Sequence, residues 1–433
     1  MRSLFFRLHH DCHIVKGAKR SALYNTKSGK VLSLNQGAVD LLESCQNQPL
    51  EAIMDVTDSA NRRAISFLQT LSAHECGSLW ITEPDSPPPR QTELSKQGLD
   101  FLWLEVTNNC NNRCLHCYAD SAPCQLSDIV PHERWLSLIA AARTAGAAAI
   151  QLIGGEPLLY PRWRELVKSA ASNQYELIEI FTNGTLITDN DISFFKRHKV
   201  NIATTIYAAD DTIHDRITLH QGSFAKTLAN ITKLLYAAIP LRIASIIMKP
   251  NENEANNIMQ LCASLGVEVN PPDVIRPTGR GDDRDLLPAN YAKPPIKPPF
   301  YTDAQGFANS RKWHSCLAGK LAVTAAGDVI PCIFARGQLC GNVLTQSLAD
   351  IIAGDDLQQC WQTTKDKIAK CQDCEYRYAC SDCRPLSQSN DQAKQWLACP
   401  HDCLYNPYTG VWGNAAAIDP NAANSSSCNS HCF

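Results

Sequence analysis

The chain reads as an α/β protein in three parts, and three observations lead there. Between residues 101 and 285, strand-like and helix-like segments alternate. Two proline-rich stretches, Glu83 to Arg90 and Lys293 to Pro299, bracket that region. Most of the 20 cysteines lie beyond the second stretch. Alternation of strands and helices argues for a parallel sheet with crossover helices. Proline runs favour extended linkers over packed elements.

In the first part, residues 1–90, strand-like pieces fall at His13–Val15, Ala22–Tyr24 and Val31–Leu34, with a turn at Gly29. Helical segments follow at Gln36–Cys45 and Ala60–Ser72. In the middle part, residues 100–290, the strand candidates are Leu102–Val106, Ala148–Ile153, Leu177–Phe181, Asn201–Tyr207, Leu241–Met248 and Val267–Asn270. Helices are expected between them, at Pro131–Ala145, Pro161–Ser172, Asp189–His198, Phe224–Ala238 and Asn253–Leu265. The third part, residues 300–405, has a pattern of ligand loops more than of a hydrophobic core. Residues 406–433, rich in Asn, Ser and Ala and carrying Cys428 and Cys432, read as a flexible tail.

Composition narrows the function. A chain of 433 residues suits two or three domains, and 44% hydrophobic residues suffice for their cores. A net charge of −3 supplies no basic field for nucleic acid. No apolar run approaches the ~20 residues of a membrane-spanning helix. Arg2, Arg7, His9, His10 and Asp11 interrupt any signal-peptide core. Clustered Cys-x-x-Cys pairs at this length favour metal ligation in a reducing compartment over disulfides. The expectation is a cytoplasmic, oxygen-sensitive protein with no nucleic acid and no membrane partner.

The most informative residues are Cys110, Cys114 and Cys117, in the run Cys-Asn-Asn-Arg-Cys-Leu-His-Cys after the first middle strand. Iron–sulfur cubanes usually take four thiolates. Three thiolates hold three irons and leave the fourth open to an amine and a carboxylate. A zinc knuckle using His116 is the alternative. The spacing is the signature of the radical S-adenosylmethionine (SAM) enzymes, which the chain resembles here. The resemblance implies a partial (β/α)6 TIM-like barrel with active residues at the C-terminal ends of its strands. It implies a SAM-binding 4Fe-4S cluster on the three cysteines, and a 5′-deoxyadenosyl radical as the reagent. It places Tyr118 and the ring of His116 beside the cofactor. Gly154-Gly155-Glu156-Pro157, after the second strand, would bind the SAM amino group. Glycines admit the backbone closely, and carbonyls or a carboxylate accept from an ammonium. Thr182-Asn183-Gly184 would reach the ribose or the methionine carboxylate, although Asn-Gly is also a common turn. Thr205, with Arg216 beyond His214-Asp215, matches a further position near that carboxylate. Arg276-Pro277-Thr278-Gly279-Arg280 resembles a stretch in family members with extra clusters, where arginine suits an anionic cofactor. Asp273 is a candidate general base.

The later cysteines resemble the SPASM domain, an auxiliary-cluster domain. By that analogy Cys316, Cys332 and Cys383, with Cys340 as a further candidate, hold one 4Fe-4S cluster. Cys371, Cys374 and Cys380 hold another, closed by Cys399 or Cys403. One departure stands out: two residues separate Cys380 from Cys383, where the family usually has three. A zinc-ribbon site is the alternative, since paired Cys-x-x-Cys also suits zinc. Cys12, Cys45, Cys76, Cys124, Cys262 and Cys360 fall outside these patterns and receive no chemistry. The N-terminal part resembles a small winged-helix, peptide-binding domain fused to many peptide-modifying enzymes, with a capping domain as the alternative. Together these resemblances imply a maturase that installs a thioether or carbon–carbon crosslink in a ribosomally made precursor peptide. They imply an electron donor such as flavodoxin or ferredoxin. The rivals are a sulfatase-maturing, formylglycine-forming enzyme, and an electron-transfer or structural zinc protein. Trp412-Gly413-Asn414 is similar to the aromatic-x-Asn triplet that some peptide maturases crosslink.

Overall fold

The computed structural model describes residues 3–81, 98–124, 129–268, 270–292, 296–400 and 402–413. The first proline-rich stretch, the start of the second, and the tail from Asn414 with Cys428 and Cys432 lie outside the described residues.

The N-terminal part begins with β1 (Phe5–Leu8), β2 (Cys12–Lys16), β3 (Ser21–Asn25) and β4 (Lys30–Leu34). Strands β2, β3 and β4 form an antiparallel meander. Helix α1 (Gln36–Cys45) starts where the Asn35 side chain accepts from the Ala38 N–H at 2.8 Å, which satisfies one orphan donor of the first turn. After α2 (Leu50–Ile53) and α3 (Arg62–Ala73), β5 (Gly77–Trp80) returns antiparallel to β1. Phe6, Leu23, Val39, Leu42 and Leu68 form the core between these elements.

The middle part runs β6 (Phe101–Glu105), α4 (His132–Thr144), β7 (Ala149–Ile153), α5 (Trp163–Ser172), β8 (Leu177–Phe181), α6 (Asp189–His198), β9 (Asn201–Thr205), α7 (Asp211–Thr218), α8 (Ser223–Tyr236) and β10 (Leu241–Ala244). Strands β6 to β10 are parallel neighbours in chain order. Helix α6 is set by a reciprocal cap: Thr188 accepts from the Asp191 N–H, and the Asp191 carboxylate accepts from the Thr188 N–H. Helix α7 has no counterpart among the expected helices. It holds His214 and Asp215 at its middle.

The last barrel strands differ from expectation. Leu241–Met248 breaks into β10 and the short β11 (Ile246–Ile247), and α9 (Ala255–Ser264) follows. The described residues of Val267–Asn270 form no strand. The partner of β11 is β12 (Asp273–Val274), just beyond Pro271 and Pro272. Proline has no N–H to give a ladder. Pairing therefore resumes at the Asp273 N–H, which donates to the Ser245 carbonyl at 2.9 Å.

The third part corrects a second expectation. It runs α10 (Ala304–Ser310), β13 (Lys320–Val323), β14 (Asp328–Ile330), β15 (Gly341–Asn342), α11 (Leu348–Ala353), α12 (Asp355–Trp361), α13 (Arg384–Asn390), β16 (Tyr405–Asn406) and β17 (Val411–Trp412). Strand β13 pairs in parallel with β6, and β14 and β15 extend the sheet to eight strands. Its first half is core, not ligand loop. Trp313, Leu317, Leu321, Val323, Leu357 and Trp361 join the apolar cluster of Leu102, Leu104, Ile150 and Leu152. Each such fully buried large apolar side chain contributes about 1.5–3 kcal/mol. The Trp361 indole keeps its polar end satisfied by donating to the Lys320 carbonyl at 2.9 Å.

The meander also packs on the third part. Val15, Ala22 and Tyr24 meet Phe300, Phe307, Tyr376 and Tyr405. The Tyr24 hydroxyl donates to the Glu375 carbonyl at 2.8 Å. Among the described residues no helix is long and apolar enough to cross a membrane.

Candidate active site

The parallel sheet brings four motifs to one edge. The cysteine loop follows β6, Gly154 follows β7, Thr182 follows β8, and Thr205 ends β9. This is the C-terminal edge, where helix and loop chemistry of such sheets converges.

The cysteine loop is pinned from both sides. The Arg113 and Leu115 N–H groups each donate at 3.0 Å, to the carbonyls of Thr218 and Ile217 at the end of α7. From the other side Arg280 donates through Nε to the Cys114 carbonyl at 3.0 Å and through Nη2 to the Ser121 carbonyl at 2.7 Å. Its backbone N–H reaches the Cys117 carbonyl at 3.0 Å. Gly279 permits this approach: at φ +57°, a Cβ there would stand 2.6 Å from the carbonyl oxygens of both Cys117 and Tyr118. Burial pushes the Cys110 thiol up to about 12 and Cys114 higher still, and the neighbouring cysteine charges add to both. Such thiols release their protons to a cationic centre, not to water.

The Gly-Gly-Glu-Pro loop lies against the strand leading into those cysteines. The Gly155 N–H donates to the Thr107 carbonyl at 2.7 Å, and the Glu156 N–H to the Asn109 carbonyl at 2.9 Å. A Cβ on Gly155 would fall 2.3 Å from the Asn109 oxygen. Glu156 is 0% exposed, and its carboxylate is fully engaged inside the protein. Oε1 accepts from the Leu158 N–H at 3.0 Å and the Thr182 hydroxyl at 2.8 Å; Oε2 accepts from the Asn183 N–H at 2.8 Å. Glu156 therefore ties the second strand end to the third, and backbone carbonyls remain for an ammonium. Burial lifts its pKa to about 7 against those hydrogen bonds. The Asn183 amide donates to Asn111 Oδ1 at 2.8 Å and reaches Cys110 Sγ at 4.0 Å.

His116 is buried with its ring edge against Tyr207 at 4.8 Å, and burial with the Arg280 charge lowers its pKa to about 4. Its Nδ1 has no partner among the described residues. Tyr118 packs edge-on to Phe334 at 5.2 Å, under the Arg336 guanidinium at 5.3 Å. Thr205 is buried near Tyr207. Arg216 is not brought to this group: it is exposed on α7 and donates to the Pro250 carbonyl at 3.1 Å. Sequence reasoning missed the Arg280 clamp. It also missed the ion pair of Arg336 with fully buried Glu105 at the end of β6. A glutamate inside an apolar strand was the available signal for that pair. A cavity of about 250 Å³ opens beside the loop, lined by Asn108, Ala119, Thr324, Asp328, Ile330 and Arg336.

Two further thiol groups form in the third part. Cys316, Cys332 and Cys383 lie within electrostatic reach of one another and of Arg276. Arg276 stacks over Phe334 at 4.6 Å, pairs with Asp273 at 3.3 Å and donates to Cys383. Asp273, the candidate base, is thus an ion-pair partner. The second group is Cys371, Cys374, Cys380 and Cys403. Burial pushes Cys332, Cys371 and Cys374 up to about 12 and Cys380 to about 11. Cys340 stands apart from the first group. It faces Cys360 in the apolar core, where thiols behave as small hydrophobes. Cys12 and Cys76 likewise face each other in the N-terminal part.

The donor set fits the implied groups. Cys110 is buried and Cys114 and Cys117 are half-buried at the sheet edge, within electrostatic reach of one another, with two glycines of the next loop packed against the segment that leads into them and two further thiol groups in the third part. This defines an iron–sulfur enzyme. Residues 104–262 match the radical SAM superfamily, and residues 316–375 match the SPASM iron–sulfur cluster-binding domain. Residues 104–262 are thus a radical SAM domain and residues 316–375 a SPASM domain, which together imply 4Fe-4S clusters and SAM as cofactors. It is 26% identical to the AdoMet-dependent heme synthase of Methanosarcina barkeri, over 70% of this chain and 95% of that one. It is 30% identical to the sporulation killing factor maturation protein SkfB of Bacillus subtilis, over 49% of this chain and 52% of that one. The chain thus spans about half of the latter. Among solved structures, SuiB of Streptococcus suis bound to precursor peptide SuiA superposes with a TM-score of 0.52 at 15% identity, covering 88% of this chain and 96% of that one. That likeness speaks for the fold alone.

Proposed function

We propose that this enzyme installs an oxidative crosslink, carbon–carbon or thioether, in a ribosomally made precursor peptide. The observation that carries the reading is the pairing of β6, which leads into Cys110, with β13, which lies between Cys316 and Cys332. A crosslink removes two hydrogens, so a second electron must leave after the first hydrogen is abstracted. Cys110, Cys114 and Cys117 would hold the cluster that, when bound, supplies one electron to SAM. Glu156 fixes the Asn183 turn, and bare backbone at Gly154 and Gly155 receives the SAM amino group. Thr182, Asn183 and Thr205 face the same edge. Cys316, Cys332 and Cys383, and Cys371, Cys374, Cys380 and Cys403, hold the groups that take the second electron. Residues 1–90 hold the peptide leader. In support, β2 is an edge of the meander, a place where an extended peptide can add as a strand. A one-electron carrier of the flavodoxin or ferredoxin kind reduces the enzyme. The names of SkfB, a maturation protein, and SuiB, bound to a precursor peptide, agree with this reading.

The test is intact-mass analysis of short peptides encoded beside the gene, each co-expressed with the enzyme without oxygen. A peptide lighter by two hydrogens is the expected result, and fragmentation then locates the bond. Unchanged peptides, with SAM cleavage intact, would overturn the reading. A second reading, SAM-dependent chemistry on a tetrapyrrole, is favoured by the near-complete coverage of the heme synthase. Turnover of a porphyrin substrate with unchanged peptides would establish it.

A further inference from the structure

The shortened spacing between Cys380 and Cys383 places Asp382 between a ligand of one auxiliary group and a ligand of the other. Its side chain is 1% exposed, and three basic side chains converge on it. Arg384, 0% exposed, pairs with Oδ2 through Nε and Nη2. Lys365, 7% exposed, pairs with Oδ1. His314, 2% exposed, brings Nε2 to 3.6 Å from Oδ1.

Each partner is anchored on a cysteine-bearing segment. His314 Nδ1 accepts from the backbone N–H groups of Cys316 and Leu317, both at 3.1 Å. That leaves its proton on Nε2, which lies beyond hydrogen-bond distance of Asp382 Oδ1 but within ion-pair range. Lys365 lies within electrostatic reach of Cys371 and Cys380. Arg384 Nη1 donates to the carbonyls of Trp396 at 3.0 Å and Ala398 at 2.7 Å, just before Cys399. One buried carboxylate therefore gathers a contact from the Cys316 segment, the Cys371 group and the Cys399 segment. Removing one partner from a buried ionic set leaves its charges uncompensated. Charge and hydrogen bonding around the ligands are the protein's means of setting cluster potential.

The geometry points to Asp382 as a positioning residue that couples the two auxiliary clusters, holding both thiolate groups in register and setting the reduction potential of each through one shared charge. Wild type carries Lys⁺, Arg⁺ and Asp⁻ at the hub. Asp382→Asn leaves two cations unopposed between the clusters, and unopposed cations favour the more negative, reduced form of each. Lys365→Met removes a cation while Asp382 keeps Arg384 and His314. The double variant restores the original net charge.

The experiment is redox-poised electron paramagnetic resonance, with iron content, on the reconstituted holoenzyme. SAM addition marks the cluster on Cys110, Cys114 and Cys117. Loss of signal in Cys316→Ala or Cys371→Ala assigns the other two. Asp382→Asn is expected to move both auxiliary midpoints to less negative potential with the iron count unchanged. Lys365→Met moves the Cys371 group to more negative potential, and the double variant returns both toward wild type. A Cys316-group midpoint that stays at its wild-type value in Asp382→Asn overturns the coupling, as does a double variant shifted as far as the single. If Asp382→Asn loses iron, Lys365→Met decides: an unmoved Cys371-group midpoint refutes the proposal. No peptide is needed for these readings, so they stand or fall separately from the crosslinking reaction.

Discussion

Glu156→Gln separates positioning of SAM from support of the fold. In wild type one carboxylate takes three donors: Leu158 N–H and Thr182 O–H on Oε1, Asn183 N–H on Oε2. Glutamine offers one oxygen. In either orientation its NH₂ faces at least one buried donor. Losing a hydrogen bond to a charged acceptor costs about 1.5–3 kcal/mol. Removing the buried charge offsets this, because burial has raised the pKa from 4.5 to about 7. At 1.36 kcal/mol per unit, that relief is about 3 kcal/mol once the carboxylate is ionised. Above pH 7 the two effects nearly cancel in stability. The Asn183 turn still loses its anchor, and about 2 kcal/mol at that turn lowers SAM affinity by about 30-fold. The assays are anaerobic SAM titration and thermal unfolding. A raised native pKa means that the glutamate's stabilising share is full below pH 4.5 and is lost as pH rises through 7. The stability difference between wild type and variant should shrink over that window. SAM affinity within about 3-fold of wild type would refute the positioning role. So would a collapse in melting temperature at pH 8.

Replacing Cys110, Cys114 and Cys117 together by Ala should abolish 5′-deoxyadenosine formation, read by chromatography of the anaerobic reaction; persistent cleavage would overturn the ligand assignment. Cys371→Ala should leave SAM cleavage and remove the two-hydrogen mass loss from the peptide, with lower iron content. Full crosslinking in that variant would exclude its group from the second electron step. Deleting residues 1–90 should abolish binding of a labelled precursor peptide; binding at wild-type affinity would refute the leader role. Iron must be measured in the same sample, because the deletion uncovers Phe300, Phe307 and Tyr376, against which Cys374 and Cys403 pack.

Legibility of the fold in the sequence followed the range of each interaction. Helix α6 was found at its observed bounds because its start is written locally, in the Thr188–Asp191 cap. Strand β8 was found at its bounds because four of its five residues, Leu177, Ile178, Ile180 and Phe181, are apolar around the single Glu179. The β12 position was missed because apolar Val267 suggested a strand, while the backbone donors needed for pairing resume after Pro271 and Pro272. Helix α7 was missed because its polar run holds few apolar positions; it is fixed from outside, by Asp215 accepting from Ser223 and Phe224. The union of β13 with β6 spans about half the chain, and no local periodicity encodes a pairing at that distance.

The site was legible where chemistry needs a residue type at a spacing, and opaque where a residue acts through another. The glycines of the second motif could be read directly, since close approach admits few residue types, and the three thiols of the cysteine loop stand as the proposed ligands. Glu156 was read as a ligand of the SAM amine, yet its oxygens are spent on the neighbouring strand end. Cys340 was a further candidate ligand by analogy with the SPASM domain, and its side chain lies in the core beside Cys360. Arg280 was read as a partner for an anionic cofactor, and it does lie within electrostatic reach of Cys114; but its hydrogen bonds go to loop carbonyls. A loop proposed to carry three ligands must hold its sulfurs against the entropy of a chain with no regular structure. Arg280 from beyond β12 and the carbonyl end of α7 supply that restraint from elements remote in sequence. The cofactor chemistry is thus written within eight residues, while the rigidity that makes it usable is distributed over the barrel.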